Sequence, residues 1–263
     1  MLSHKIVGTA NQMAVVQLEP GTCVYGDRGT LRWKTANVSM ETRLTRPQGG
    51  QGVGAPAATG GGLLAKAMDV GKRALAGEGL AFQYYRAEGG SGLVSFAGVL
   101  PGELRAIELD RTRSWFAERG AMIAAEESIG FDIAFTGLRT GLRGHEGFVL
   151  QKYSGAGTVF VAAAGNFIEL NPAKYGGTIQ AETGNVVAFE DTVTYTVERV
   201  GGLNAQTAMT AVFGGEGINL ATFKGDGAVI LQSTSIHALG EALRRVIGTS
   251  GDDRRGPLAG LGL

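Results

Sequence analysis

Apolar residues along much of this chain alternate with polar or small ones. Met13-Ala14-Val15-Val16-Gln17-Leu18 runs into the turn dipeptide Pro20-Gly21; Ile129, Phe131 and Ile133 alternate, and so do Val193, Tyr195 and Val197. A period of two predicts strands with one buried face. A longer pattern recurs. Gly77-Glu78-Gly79-Leu80-Ala81-Phe82 leads to Gly90-Ser91-Gly92-Leu93-Val94, His145-Glu146-Gly147-Phe148-Val149-Leu150 to Gly155-Ala156-Gly157-Thr158-Val159, and Gly215-Glu216-Gly217-Ile218-Asn219-Leu220 to Gly225-Asp226-Gly227-Ala228-Val229. A Glu-Gly step, an apolar run, a Gly-x-Gly and a second run predict strand, tight turn, strand, since glycine alone takes positive φ without a Cβ clash. Three copies at a spacing of roughly 70 residues predict an internal repeat.

A second repeated element precedes each module. Tyr25-Gly26-Asp27-Arg28-Gly29 matches Phe116-Ala117-Glu118-Arg119-Gly120 and, more loosely, Gln180-Ala181-Glu182-Thr183-Gly184. Met122 to Glu127 then aligns with Val186 to Asp191, while the first copy, Leu31-Arg32-Trp33-Lys34, is degenerate but in register. The predicted fold is all-β: a three-repeat antiparallel β-sandwich or double-stranded β-helix. One domain covers 1–235, with repeats near 12–107, 108–170 and 171–235. Its turn glycines are Gly29, Gly79, Gly90, Gly92, Gly120, Gly147, Gly155, Gly157, Gly184, Gly217, Gly225 and Gly227.

The period switches to helical in two places. After a Gly/Pro/Ala/Gln-rich loop at 47–61, residues 62–76 place Leu64, Met68, Gly71 and Leu75 on one face and Lys66, Asp69 and Arg73 on the other. This insertion (47–76) either packs on the β core or, with its Lys66, Lys72 and Arg73 charges, lies on an anionic membrane or a protein partner. Ile236 to Ile247 forms a second amphipathic pattern, with Leu239, Leu243 and Ile247 together, and from Gly248 the composition is that of a flexible tail.

Charge narrows the choice of partners. Lys plus Arg and Asp plus Glu are 24 each, without the basic excess that phosphate-backbone binding asks for, so nucleic acid is disfavoured. The 44 glycines exceed the usual share without a Gly-X-Y period. The one cysteine, Cys23, reads as a buried bystander in a strand and fits a reducing compartment. The start of the chain lacks a basic-then-apolar leader and no apolar run reaches membrane-spanning length, so the expected location is cytoplasmic or membrane-peripheral.

Candidate chemistry is thin. The Gly-x-Gly motifs are flanked by strands on both sides, not by the helix N-terminus that a phosphate loop requires. Val70-Gly71-Lys72-Arg73 has Arg where a magnesium-holding Ser or Thr belongs. His4, His145 and His237 form no close pair, so no metal or cofactor is expected. Glu126-Glu127 and Glu190-Asp191 are the best acid–base candidates, but neighbours on a strand face opposite ways, and a charge at a strand edge is the plainer account. Glu78, Glu146 and Glu216 recur, as turn-amide acceptors would.

These residues resemble a known family. Leu18-x-Pro20-Gly21, the Asp27-x-Gly29 turn, a Gly-rich insertion ending Lys72-Arg73-x₃-Gly77-Glu78, Pro101-Gly102, Gly214 to Gly217 and Gly225-x-Gly227 are similar to the altered-inheritance-of-mitochondria (mitochondrial biogenesis) protein 24 family. The resemblance spans roughly residues 5 to 235 and rests on glycine and strand patterns, not on chemistry. It implies a fold like that of the tryptophan RNA-binding attenuation protein. The mitochondrial relatives are associated with the inner membrane, a role that does not carry over directly to a chain without a targeting peptide. The expectation is a non-enzymatic scaffold that forms a homo-oligomer, a trimer at first guess; the alternative is a module binding RNA or a small ligand between repeats.

Overall fold

The computed structural model describes residues 2–43, 47, 81–135, 149–199 and 219–247. The expected helix at 62–76 (Leu64, Lys66, Met68, Lys72, Arg73 and Leu75) lies outside them, as do Gly79, Gly147 and Gly217. In chain order the strands are β1 (His4–Val7), β2 (Met13–Leu18), β3 (Cys23–Gly26), β4 (Leu31–Lys34), β5 (Val38–Arg43), β6 (Phe82–Ala87), β7 (Gly92–Phe96), β8 (Leu104–Asp110) and β9 (Trp115–Glu118). Then come β10 (Met122–Glu126), β11 (Ile129–Phe135), β12 (Val149–Ala162), β13 (Phe167–Leu170), β14 (Thr178–Glu182), β15 (Val186–Glu190), β16 (Val193–Arg199), β17 (Asn219–Gly225) and β18 (Val229–Gln232). One helix, α1 (Ile236–Ile247), follows β18. Its first turn is held by Ser235, whose Oγ accepts the Ala238 N–H at 3.1 Å.

The chain is mostly β, and its strand ladders are antiparallel. Two full sheets run β5-β6-β3-β10-β12-β8 and β11-β12-β9-β15-β18-β13, sharing the long strand β12. Two partial sheets complete the set: four strands in the order β1-β2-β7-β4, and three in the order β14-β17-β16. Apolar clusters fill the spaces between successive sheets. Val16, Leu18, Val94 and Phe96 meet Tyr85, Ile123 and Phe160; Tyr25, Tyr84 and Val159 meet Phe131, Tyr153 and Ile230; Leu150, Val186 and Phe189 meet Val193, Ala221 and Phe223. The central strands of both full sheets are therefore buried on two faces, β10 and β15 almost throughout, while the outer strands β5 and β13 keep exposed positions. The alternation that predicted β11 is real burial, with Ile129, Phe131 and Ile133 all in the core, but in β16 Val193 is buried while Val197 is exposed.

The glycine modules differ from the expected hairpins. β6 pairs with β3 and β5, whereas β7 pairs with β2 and β4; β17 pairs with β14 and β16, whereas β18 pairs with β13 and β15. The strands flanking Gly90-Ser91-Gly92 and Gly225-Asp226-Gly227 thus belong to different sheets. Gly155 and Gly157 are not in a turn at all. They lie inside β12, whose first half pairs β9 and β11 and whose second half pairs β8 and β10. Gly155 takes φ 126 and passes so close to Ser128 O that a Cβ would sit 2.5 Å from it. Gly92 is likewise a strand residue, in β7. Gly29 and Gly120 do occupy turns, at φ 81 and 87.

Candidate functional site

Two joints hold the sheets together. β10 lies beside β3 with Ala124 opposite Gly26, Ala125 opposite Tyr25 and Glu126 opposite Val24. β15 lies beside β9 with Ala188 opposite Ala117, Phe189 opposite Phe116 and Glu190 opposite Trp115. Small residues meet at one position of each joint; at the next, Phe116 and Phe189 stack at 5.3 Å. Each of β4, β10 and β15 carries an irregularity at its second residue, after Leu31, Met122 and Val186, a bulge that sharpens local twist.

The paired carboxylates sit on these joints. Glu126 Oε1 accepts the Thr158 N–H at 3.3 Å and the Thr158 hydroxyl at 3.0 Å. Glu190 Oε2 accepts the Ala228 N–H at 3.0 Å. Thr35 Oγ1 accepts the Leu93 N–H at 3.0 Å. In each case the amide follows the second glycine of a Gly-x-Gly, and in the two glutamate cases that glycine leaves the room: a Cβ on Gly157 would lie 2.8 Å from Glu126 Oε2, and one on Gly227 2.9 Å from Glu190 Oε2. The adjacent acids face elsewhere. Glu127 pairs with Arg43 at 3.2 Å and Arg86 at 3.1 Å, and Asp191 accepts the Ser114 N–H at 3.0 Å. The sequence-adjacent carboxylates thus have separate partners, while Glu126 meets Glu108 at the Thr158 hydroxyl, which lies 3.0 Å from both.

Burial shapes the remaining titratable groups. Glu118 is pushed up to about 8 by burial, with Arg119 pulling the other way. Asp27, at the corresponding turn, is raised by burial as well, opposed by its bond from the Arg28 N–H and by the charges of Arg119 and Arg28. Burial, reinforced by the Glu127 charge, raises the Cys23 thiol, which is the inert pattern for a cysteine. His4 shares its Nδ1 with Leu2 O at 2.9 Å and packs edge-on against Phe160. Among the described residues no three His, Cys, Asp or Glu side chains gather closely enough to hold a metal, and no helix is long and apolar enough to cross a membrane.

A cleft of about 530 Å³ opens between β8 and the β13-β18-β15 edge, lined by Arg105, Glu108, Arg113, Trp115, Glu169 and Glu190 among others. Its cations are paired: Arg105 with Glu169, and Arg113 with Glu190 at 3.0 Å. An anionic ligand would have to displace a carboxylate from each arginine. Sequence reasoning did not single out these arginines, because their partners come from distant strands.

The more conspicuous feature is what the two partial sheets leave open. Among the described residues, β4 pairs only with β7 and β14 only with β17. Arg32 and Trp33 of β4 are exposed, Trp33 by 42%. Thr178, Gln180 and Glu182 are exposed along β14. The degenerate stretch Leu31–Lys34 was the one sequence signal of this edge.

The sequence profile described as mitochondrial biogenesis AIM24 matches residues 4–234. An uncharacterized protein of Streptococcus pyogenes serotype M6 is 26% identical over 237 residues, 89% of this chain and 86% of that protein. A crystal structure of another Streptococcus pyogenes protein superposes with a TM-score of 0.70 at 23% identity, covering 94% of this chain and all of its own, and is similar in fold.

Proposed function

The chain belongs to the mitochondrial biogenesis AIM24 family, and we propose that it is a non-enzymatic structural protein, built of three like β units, that self-assembles through sheet edges. The like pairing of β2–β7, of β8–β12 and of β13–β18 supports three units, with boundaries better drawn near residues 100 and 165 than near 107 and 170. In each, the residues before the Gly-x-Gly pair in one sheet and those after it in another, as two strands in the first and third units and as the two halves of β12 in the second. The observation that carries self-assembly is the pair of partial sheets, whose terminal strands β4 and β14 each have a single ladder partner among the described residues. An unpaired edge is a template for a further strand. The non-enzymatic reading draws on the carboxylates, which serve backbone amides and arginines. A ligand-binding role at the β8 cleft is the weaker reading, since its arginines are already paired.

Sedimentation velocity over a concentration series tests the proposal: the expected result is a species of several chains, whether ring or open array, and a strict monomer throughout would overturn it. The 62–76 segment adds a peripheral-membrane contact to this reading. Co-sedimentation with anionic vesicles, lost in Leu64→Asp/Leu75→Asp with oligomer size unchanged, is its expected signature.

A further inference from the structure

Two of the edges left open among the described residues, those of β4 and β14, are complementary. Aligning the units through their shared bulges and ladders places Leu31, Arg32, Trp33 and Lys34 of β4 where β10 has Met122, Ile123, Ala124 and Ala125 and β15 has Val186, Val187, Ala188 and Phe189. The ladders to β6, β12 and β17 likewise place Ile179, Gln180, Ala181 and Glu182 of β14 where β3 and its turn have Val24, Tyr25, Gly26 and Asp27, and where β9 has Trp115, Phe116, Ala117 and Glu118. The joints that exist inside the chain are β10 on β3 and β15 on β9. The corresponding third joint would be β4 on β14, and within one chain it is not made.

We propose that it is made between copies: β14 of one chain pairs antiparallel with β4 of the next, fusing two partial sheets into one, β16-β17-β14-β4-β7-β2-β1. This rests on the self-assembly reading above and names its surface. The register follows from the internal joints: Ala181 opposite Trp33, Gln180 opposite Lys34, Ile179 opposite Thr35 and Glu182 opposite Arg32.

Volume and charge both favour that register. Across the first internal joint the row reads Gln83, Gly26, Ala124, Phe160, and across the second Gln151, Ala117, Ala188, Ile230. Large residues flank a small pair. The proposed row reads Ala221, Ala181, Trp33, Ser95, with one large ring among small neighbours, and a swap that keeps total volume is the kind a packed site accepts. One step beyond the paired residues, Ile123 O accepts the Asp27 N–H across the first joint; continuing the proposed ladder by the same step brings Arg32, bonded within its own chain to Gly29 O and Gly98 O, beside Glu182. Arg119 also acts on Asp27 across the first joint, and its counterpart at the new one is Arg28. The same charges forbid wrong pairings, because β4 on β4 would bring Arg32 and Lys34 against their own copies. A joint between unlike edges is head-to-tail, so it closes as a ring or continues as an array.

Disulfide trapping tests it. Asp27 N–H bonds Ile123 O and Glu127 N–H bonds Cys23 O, so Gly26–Ala124 is a non-hydrogen-bonded pair, where Cα atoms are about 4.5 Å apart and a disulfide fits. Full-length Cys23→Ala chains carrying Trp33→Cys are mixed with others carrying Ala181→Cys and oxidised. A mixed disulfide dimer that forms in the mixture and not from either variant alone is expected. In otherwise wild-type chains, Glu182→Lys should raise the half-assembly concentration roughly tenfold, and adding Arg32→Glu should restore it. Oligomers that neither trap through these cysteines nor respond to Glu182→Lys would overturn this joint while leaving self-assembly standing. A wild-type chain that stays monomeric would overturn both, as would a disulfide that forms only within a chain carrying both cysteines.

Discussion

Gly227→Ala separates two accounts of the repeated Gly-x-Gly. If the second glycine serves only a bend, alanine costs about what it costs in any open turn. The structure gives it another task. A methyl group at Gly227 would lie 2.2 Å from Thr192 Oγ1 and 2.9 Å from both Glu190 Oε2 and Val193 Cγ2. Thr192 and Glu190 must both give way, and the carboxylate is held by the Ala228 N–H at 3.0 Å and by Arg113 at 3.0 Å. Losing a charge-assisted bond to a part-buried amide costs about 1.5–3 kcal/mol. The exposed Arg113 contact adds at most about 1 kcal/mol, and crowding adds about 1–3 kcal/mol. The expected loss is about 2.5–7 kcal/mol. Gly120→Ala is the control, since a methyl there meets nothing within 4 Å and suffers only from φ 87, about 1–2 kcal/mol. Urea unfolding followed by tryptophan fluorescence reads both, with Trp115 opposite Glu190 in the affected joint. Equal midpoints for the two variants would refute the carboxylate-approach argument.

Phe189→Ala removes a ring that meets Phe116, Tyr195 and Phe223, each at 5.3 Å; a loss of about 4 kcal/mol or more in chemical denaturation is expected. Glu118 gives a pH signature. Its folded pKa of about 8 lies above its ordinary 4.5, so the folded state favours the protonated carboxyl and stability falls as pH rises from about 4.5 to 8. Glu118→Gln should flatten that decline and be the more stable protein at pH 9; identical pH profiles for both proteins would count against it. Cys23, buried and with its thiol raised, should react with an aromatic disulfide reagent only on unfolding, so a fast stoichiometric reaction in the native protein would contradict its burial.

Strands were legible wherever alternation was strict. β2 and β11 follow directly from the side-chain period, because each presents one face to a core. Helix α1 was legible for the same reason at a longer period, with Leu243 left exposed on its apolar side. The bend in β12 was not. A Gly-x-Gly between two apolar runs is the same local signal whether the chain reverses or runs on past a neighbour, and the decision rests on Ser128 and Glu126, some thirty residues earlier in the chain. The carboxylates divide the same way. That Glu126 and Glu127 face opposite sides follows from strand geometry, but their partners, Thr158 on one side and Arg43 with Arg86 on the other, are set by the sheets.

The least regular copy of the repeated element carries the most specific information. Met122 to Ala125 and Val186 to Phe189 are apolar because their strand lies between two others, where a charge would go unpaired and undissolved. Leu31-Arg32-Trp33-Lys34 occupies the corresponding place with one neighbouring strand among the described residues, so its positions are free to hold charge and an exposed indole. β14 shows the reciprocal change, with Gln180 where its counterparts have Tyr25 and Phe116. Both departures fall on strands that have one ladder partner among the described residues where β10 and β15 have two, and Arg32 and Glu182 carry opposite signs there. The acid is common to all three copies, as Asp27, Glu118 and Glu182, so it is the base that is new; random drift at a solvent-facing edge would produce polarity, but it gives no reason for that base to stand opposite the acid, or for one large ring to stand against a row of small residues. Complementarity of both size and sign is the pattern of two surfaces that meet. Exchanging the charges in one chain therefore does more than perturb an edge: Arg32→Glu/Glu182→Lys chains should assemble with themselves as wild type does and co-assemble with wild type roughly tenfold more weakly, which simple edge protection does not predict.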